Sequence, residues 1–220
     1  MALPTYLSLV NDVLIRLREP TVTSVSQNTV SNLIGTFVND AKREIADSYD
    51  WDAFNYAVIV PTVANQYEGY SIPGAGVRCK VMDVINITRQ YPLTPIDHVS
   101  LDLQVYGTVN PQKTTPFNYI FDNVDDNGDA MVNFWPIPDA VYNIRFSLNV
   151  PELDLTADGD KTFLPKEPIV LGALARALVE RGEDGGLTSS DCYALAKKSL
   201  GDLIAIELSR SPENDAWYPS

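Results

Sequence analysis

Four stretches of helical apolar periodicity, two near each end of the chain, bracket a long middle region of different texture, and that layout restricts the fold more than any single motif. Leu7, Val10, Leu14 and Leu17 recur at three- and four-residue spacing. Pro4 is placed for a first turn, and Glu19-Pro20 ends the run. After the polar stretch Thr21 to Gln27, Asn28 or Thr29 is placed as a cap. Val30, Leu33, Ile34, Phe37, Val38, Ala41 and Ile45 then mark one broad apolar face that closes at Tyr49-Asp50-Trp51. Near the other end, Pro165 and Pro168 introduce an apolar helix, Ile169 to Glu180, broken by the glycines at 182, 185 and 186. Ser189 or Ser190 caps a last helix to Arg210, carried by Tyr193, Leu195, Ala196, Leu200, Leu203, Ile204 and Ile206. Gly201 inside it costs helix propensity, which predicts a close-packing reason for it.

From Phe54 the pattern changes to short β-branched runs: Tyr56 to Val63, Tyr67 to Ile72, Cys79 to Arg89, Asn118 to Phe121, Met131 to Trp135 and Val141 to Val150. Asp126-Asn127-Gly128 is a hairpin tip, because Asn-Gly tolerates the positive φ of a tight turn. A short helix is expected over 97–103. Amphipathic helices cannot bury their apolar faces alone, so the two pairs are expected to pack on each other. The fold class is therefore α+β: a four-helix bundle formed by N- and C-terminal helix pairs, with an inserted antiparallel β domain. The expected divisions are 1–53 and 164–210 for the bundle, 54–150 for the β domain, 151–163 for an extended connector and 211–220 for a mobile C-terminal tail.

The charge balance narrows the function. Charged residues make up 20% of the chain and apolar ones 45%, a globular composition. The net charge is −13, spread over every third of the chain. A surface of that sign does not grip phosphate backbones, although nucleic acid can slide past it without sticking. Cys79 and Cys192 stand far apart with no Cys or His grouping, which fits a reducing compartment and two idle thiols. Asn11, Asp12 and Arg16 interrupt any leader-like apolar run, and no stretch approaches the ~20 apolar residues of a membrane span. No membrane partner is expected, and the chain is expected in a cytoplasm.

Sites for chemistry are scarce. His98 is the single histidine, and no nucleophile turn accompanies it, so an acyl-transfer triad has no framework. One His and two distant Cys do not supply the usual zinc ligands. Asp122 to Asp129 invites a calcium-loop reading, but Phe134 stands at the twelfth position, where a bidentate Glu is required. The acidic stretch Asp154 to Asp160 fails the same test at Pro165. Gly74-Ala75-Gly76 lacks the third glycine of a dinucleotide cradle. Arg78-Cys79-Lys80 is too small a basic cluster for single-strand binding. Catalytic, metal-binding and cofactor-binding residues are accordingly none, and the chain is expected not to be an enzyme. Of the three tryptophans, Trp51 and Trp135 fit a core. Trp217, followed by Tyr218 in a polar tail, reads instead as a partner-binding anchor.

The order of several soft motifs resembles one family. Leu7-x-x-Val10-Asn11-x-x-Leu14 opens a helix, and a second helix ends at Trp51-x-x-Phe54. Tyr70-Ser71-Ile72-Pro73 and Val81-Met82-Asp83-Val84 follow, then Phe134-Trp135-Pro136-Ile137-Pro138, and Phe163-Leu164-Pro165 before the final helical pair. Across nearly the whole chain this layout resembles the head-to-tail adaptor (tail tubular protein A, or connector) family of short-tailed bacteriophages. The resemblance implies a virion structural protein, assembled in the host cytoplasm. It implies a ring homo-oligomer, usually a dodecamer, between the portal protein and the tail nozzle protein, with a lumen through which DNA passes without specific binding. It also implies that the tail 211–220 docks on the portal. Two other readings stand beside it. One is a carbohydrate-binding or hydrolytic module using Trp135 and Tyr142 as exposed aromatics. The other is an assembly chaperone that docks through its helices.

Overall fold

In the computed structural model, which describes residues 3–182 and 188–210, the first two helices begin at reciprocal caps. Thr5 precedes α1 (Tyr6–Arg16), its hydroxyl accepting from Ser8 N–H while the Ser8 hydroxyl accepts from Thr5 N–H. Asn28 and Ser31 repeat the arrangement at α2 (Thr29–Ser48). Each pair satisfies two of the N–H groups that a helix start leaves without intrahelical partners. Pro4 thus lies before the cap rather than in the first turn. The third long helix, α4 (Lys166–Arg181), starts before Ile169, because Pro165 takes the extended cap position and Pro168 needs no N–H partner inside the first turn. Gly182, at φ 62°, ends it in the left-handed conformation. The last helix is α5 (Ser189–Arg210).

These four helices belong to one compact unit, residues 1–53 with 152–220, and α4 packs against each of α1, α2 and α5. Ile169, Val170, Ala173 and Ala177 of α4 are buried, as are Leu9, Val10 and Val13 of α1 and Ile34 and Val38 of α2, the two helices against which it packs. Small residues set the spacing. A Cβ on Gly172 would lie 3.2 Å from the Ala41 methyl, so α2 and α4 approach closely there.

Residues 152–163 lie within this helical unit and are held to it by hydrogen bonds, where an extended connector was expected. Tyr6 and Leu7 N–H donate to the Asp160 and Asp158 carbonyls, closing the start of α1. The Asn39 side chain both donates to Leu155 C=O and accepts from Leu155 N–H. Lys42, only 2% exposed, extends from α2 to the Glu152 carboxylate at 3.4 Å and donates to the Leu153 carbonyl. A buried ammonium is tolerable only with such partners. The acidic stretch is therefore structural. Asp160 accepts from Thr156 and Ala157 N–H, and those bonds hold its carboxyl below the usual range.

Residues 54–151 form the second compact unit. It contains β1 (Asn55–Pro61), β2 (Tyr70–Ser71), β3 (Lys80–Asn86), β4 (Tyr91–Pro92), β5 (Thr94–Pro95), α3 (His98–Tyr106), β6 (Asn118–Val124), β7 (Ala130–Trp135) and β8 (Asn143–Asn149). The strands make two four-stranded sheets, ordered β1-β8-β3-β4 and β2-β7-β6-β5. All pairings are antiparallel except β5 with β6, which is parallel and departs from a purely antiparallel domain. The inner faces enclose one core, in which Phe146 meets Phe134 and Tyr119 with ring centroids 6.2 Å apart. Helix α3 covers part of the outer face of the second sheet, placing Leu101 with Ile120, Trp135 and Ile137.

Candidate assembly interface

The fully buried positions of α5 lie in its first half. Cys192, Ala196 and Leu200, four residues apart, are its buried positions. Pro168, Gly172, Ala196 and Leu200 line one small gap, so α5 runs antiparallel to α4 and reaches the α4 start at Leu200. Glu44 of α2 fixes this half: its carboxylate accepts from Lys197 at 2.6 Å, Arg176 at 2.8 Å and the Tyr193 hydroxyl at 2.9 Å. The Lys197 hydrogen bond, with those from Arg176 and Tyr193, holds the Glu44 pKa down to about 2 against the burial that opposes it. Beyond Leu200 no residue of α5 is buried. The helix still carries Leu203, Ile204, Ile206 and Leu208, with Ile206 and Leu208 exposed. Gly201 lies in open space, so close packing is not its reason.

A second apolar feature lies at the start of α4. Leu3, Pro4, Phe163 and Pro165, with Lys166 and Asp12 along the side, line an open groove of about 720 Å³. Phe163 is 59% exposed, whereas its neighbour Leu164 is buried. The Lys166 ammonium is bonded to Asp12 at 3.1 Å, and Ser8 and Glu167 are the other polar residues of the lining.

The β unit has its own uncovered surfaces. Val99, Leu103 and Tyr106 recur at four- and three-residue spacing along α3 and are 64–73% exposed, a stripe opposite the buried Leu101. β1 is an edge strand of seven residues, Asn-Tyr-Ala-Val-Ile-Val-Pro, without a charge. At the other side of the same sheet β3 carries Lys80, Asp83 and a register shift between Val81 and Asp83, devices that discourage strand addition.

The residues singled out for chemistry stand apart. His98 is exposed, 3.9 Å from the Asp122 carboxylate, and the neighbouring Ser100 hydroxyl is bonded to Asp97 as part of the α3 cap. Asp125 is used up within the β6–β7 hairpin, accepting from Ser71, Asn127 and Asp129. Among the described residues no group of three or more His, Cys, Asp or Glu could hold a metal ion. Both cysteines are free thiols whose pKa burial raises. Trp135 and Tyr142 are 5% and 4% exposed, so neither offers the exposed aromatic face that the carbohydrate reading gave it. Trp217 and Tyr218 lie outside the described residues. The groove residues Leu3 and Phe163 and the β1 edge were not identified from sequence. Only the exposure of Phe163 next to a buried Leu164 distinguishes them, and sequence does not display exposure.

No helix among the described residues is long and apolar enough to cross a membrane. Comparison with curated proteins gives no match. Comparison with protein families gives one description, SU10 adaptor protein, matching residues 4–217. That span takes in both helix pairs, the whole β unit and Trp217, and the chain belongs to this family of phage head-to-tail adaptors.

Proposed function

We propose that the protein is a virion component that forms a ring between the portal and the tail nozzle, with a lumen through which DNA passes. Family membership supplies the structural role in the phage particle. The observation that carries the ring is the second half of α5. An isolated helical turn is marginal in water, and helices in proteins are held chiefly by packing of an apolar face. A ten-residue helical extension with Ile206 and Leu208 exposed, and Leu203 and Ile204 only half-buried, offers an apolar face that another subunit would cover. In this reading the four long helices act as one bundle forming the ring wall, and the β unit carries contacts through the α3 stripe and the β1 edge. The net charge of −13 suits a lumen that repels rather than binds the DNA backbone. A dodecamer is the stoichiometry proposed.

Electron microscopy of the purified protein, alone and mixed with the portal protein of the same phage, tests this. Rings, or density capping the portal, are expected. A subunit that stays monomeric in both conditions would refute the reading, and one that leaves the portal after assembly would act as a chaperone instead.

A further inference from the structure

The outer side of β1 offers an unused hydrogen-bonding edge that matches itself. We infer that β1 of the free subunit pairs antiparallel with β1 of a second copy, joining their first sheets edge to edge across a two-fold axis. The inference goes beyond the ring reading and does not depend on it, since it uses the β unit alone.

Three observations carry it. First, the ladder with β8 fixes which groups of β1 are free. Thr62 N–H donates to Tyr142 C=O and Val150 N–H to Phe54 C=O, and the register between these pairs runs without a shift. Bonded and non-bonded pairs alternate in an antiparallel ladder. Tyr56, Val58 and Val60 therefore bond β8, while the backbone groups of Ala57 and Ile59 point outwards. No strand among the described residues pairs with that side. Pro61, which has no N–H, also stands at an outward position, so it takes nothing from the β8 ladder and ends the free edge. Second, β1 complements itself in one register. Overlap of all seven residues centres the axis on Val58, with Ala57 opposite Ile59, Tyr56 opposite Val60 and Val58 opposite its own copy. Ala57 and Ile59 then each donate and accept across the seam, and the facing pairs match small with large and aromatic with β-branched side chains. A shift of two residues shortens the ladder and sets Ala57 on Ala57 or Ile59 on Ile59. Third, charge selects this edge for a contact between copies. At −13 two chains repel on average, but β1 has no charge and β8 beside it has only Arg145. In the full overlap the two Arg145 side chains fall in different rows, each next to Ile59 of its own chain. A contact that uses the same patch on both copies closes at two. The dimer is thus a reserve form of the free subunit, and a partner that takes β1 in the particle has to displace it.

Sedimentation and disulfide trapping of the full-length protein test this. From micromolar to near-millimolar concentration the subunit is expected to pass from monomer to dimer, and added salt should favour the dimer by screening its net charge. Facing Cα atoms of a non-bonded pair lie about 4.5 Å apart, within disulfide reach. Under mild oxidation V58C should therefore trap itself as a covalent dimer, whereas A57C and I59C should trap each other when mixed and neither alone. The parent chain, with its free Cys79 and Cys192, is the control. Ala57→Pro removes an outward N–H without touching the β8 ladder, and Ile59→Glu adds like charge at the seam. Each should weaken the dimer about tenfold or more, with thermal unfolding of the monomer little changed. A subunit that stays monomeric throughout overturns the inference, as does V58C that crosslinks no faster than A57C alone or the parent chain. Hydrogen exchange at Ala57 and Ile59 identifies any other occupant. Protection in the monomer would mean that the chain covers its own edge, and protection only on adding portal or nozzle protein that another virion protein does. Either result overturns self-pairing.

Discussion

Glu44 collects donors from two other helices, and its charge state sets how firmly α2 holds α4 and α5. Its carboxyl lies near 4.5 when unperturbed and about 2 in the folded chain. Between those values the unfolded state binds more protons. The stabilisation is therefore complete above about pH 4.5 and disappears as the pH falls towards 2. With solvent reaching part of the cluster, Glu44→Gln should lower the unfolding free energy by about 1–2 kcal/mol at pH 7. Urea titrations of the two proteins should converge near pH 2. Gly35 makes a different kind of prediction. A Cβ there would run into the Tyr6 hydroxyl and lie 2.8 Å from Val25 Cγ1, both on buried side chains. Gly35→Ala should cost about 1–3 kcal/mol in the same assay, the price of overpacking.

Among elements, α5 and β1 depart furthest from what an isolated subunit needs. Gly201 sits in open space on α5, so Gly201→Ala should raise stability by about 0.5–1 kcal/mol through helix propensity, measurable as a higher thermal midpoint. β1 lacks the charge that usually guards an edge, and Ile59 faces outwards across from Arg145. Ile59→Glu, which sets a carboxylate opposite Arg145, should leave the unfolding curve within about 0.5 kcal/mol and reduce light scattering of concentrated subunit. The helices were legible in sequence because their apolar spacing and caps such as Asn28 are local. At α5 the cap is Thr188 rather than Ser189 or Ser190, its hydroxyl accepting from Asp191 N–H while Asp191 accepts from Thr188 N–H. The short strands Tyr91–Pro92 and Thr94–Pro95 were not legible. Two-residue strands have no periodicity, and only the neighbour that each one pairs with creates them. The polarity of 151–163 reads as a connector, and from Glu152 onward its polar atoms are the ones that bind α1 and α2. The groove was invisible for the same reason: Leu3 and Phe163 are 160 positions apart and meet only in the folded unit.

At the scale of the whole molecule, two units with separate cores share one chain, and each should fold by itself. Residues 54–151, expressed alone, should show a cooperative thermal transition with β-type circular dichroism. A broad, non-cooperative melt would show that its core depends on the helical unit. The order of helix pair, β unit and helix pair could be read from the pattern of apolar spacing alone. How the helical unit holds its return segment depended on Lys42, Asn39 and Asp160, whose partners lie more than a hundred residues away or inside a turn.

The two ends of the β unit leave it side by side: Asn55 pairs with Asn149 across β1 and β8, and Val150 N–H donates to Phe54 C=O at 2.9 Å. A cassette whose ends emerge together interrupts its host at what is, in space, a single point, so the helical unit need not rearrange when the cassette is shortened, lengthened or replaced. A chain that keeps the helical part can therefore accept a different cassette between residues 54 and 151, with the caps and core of the helical unit left as they are.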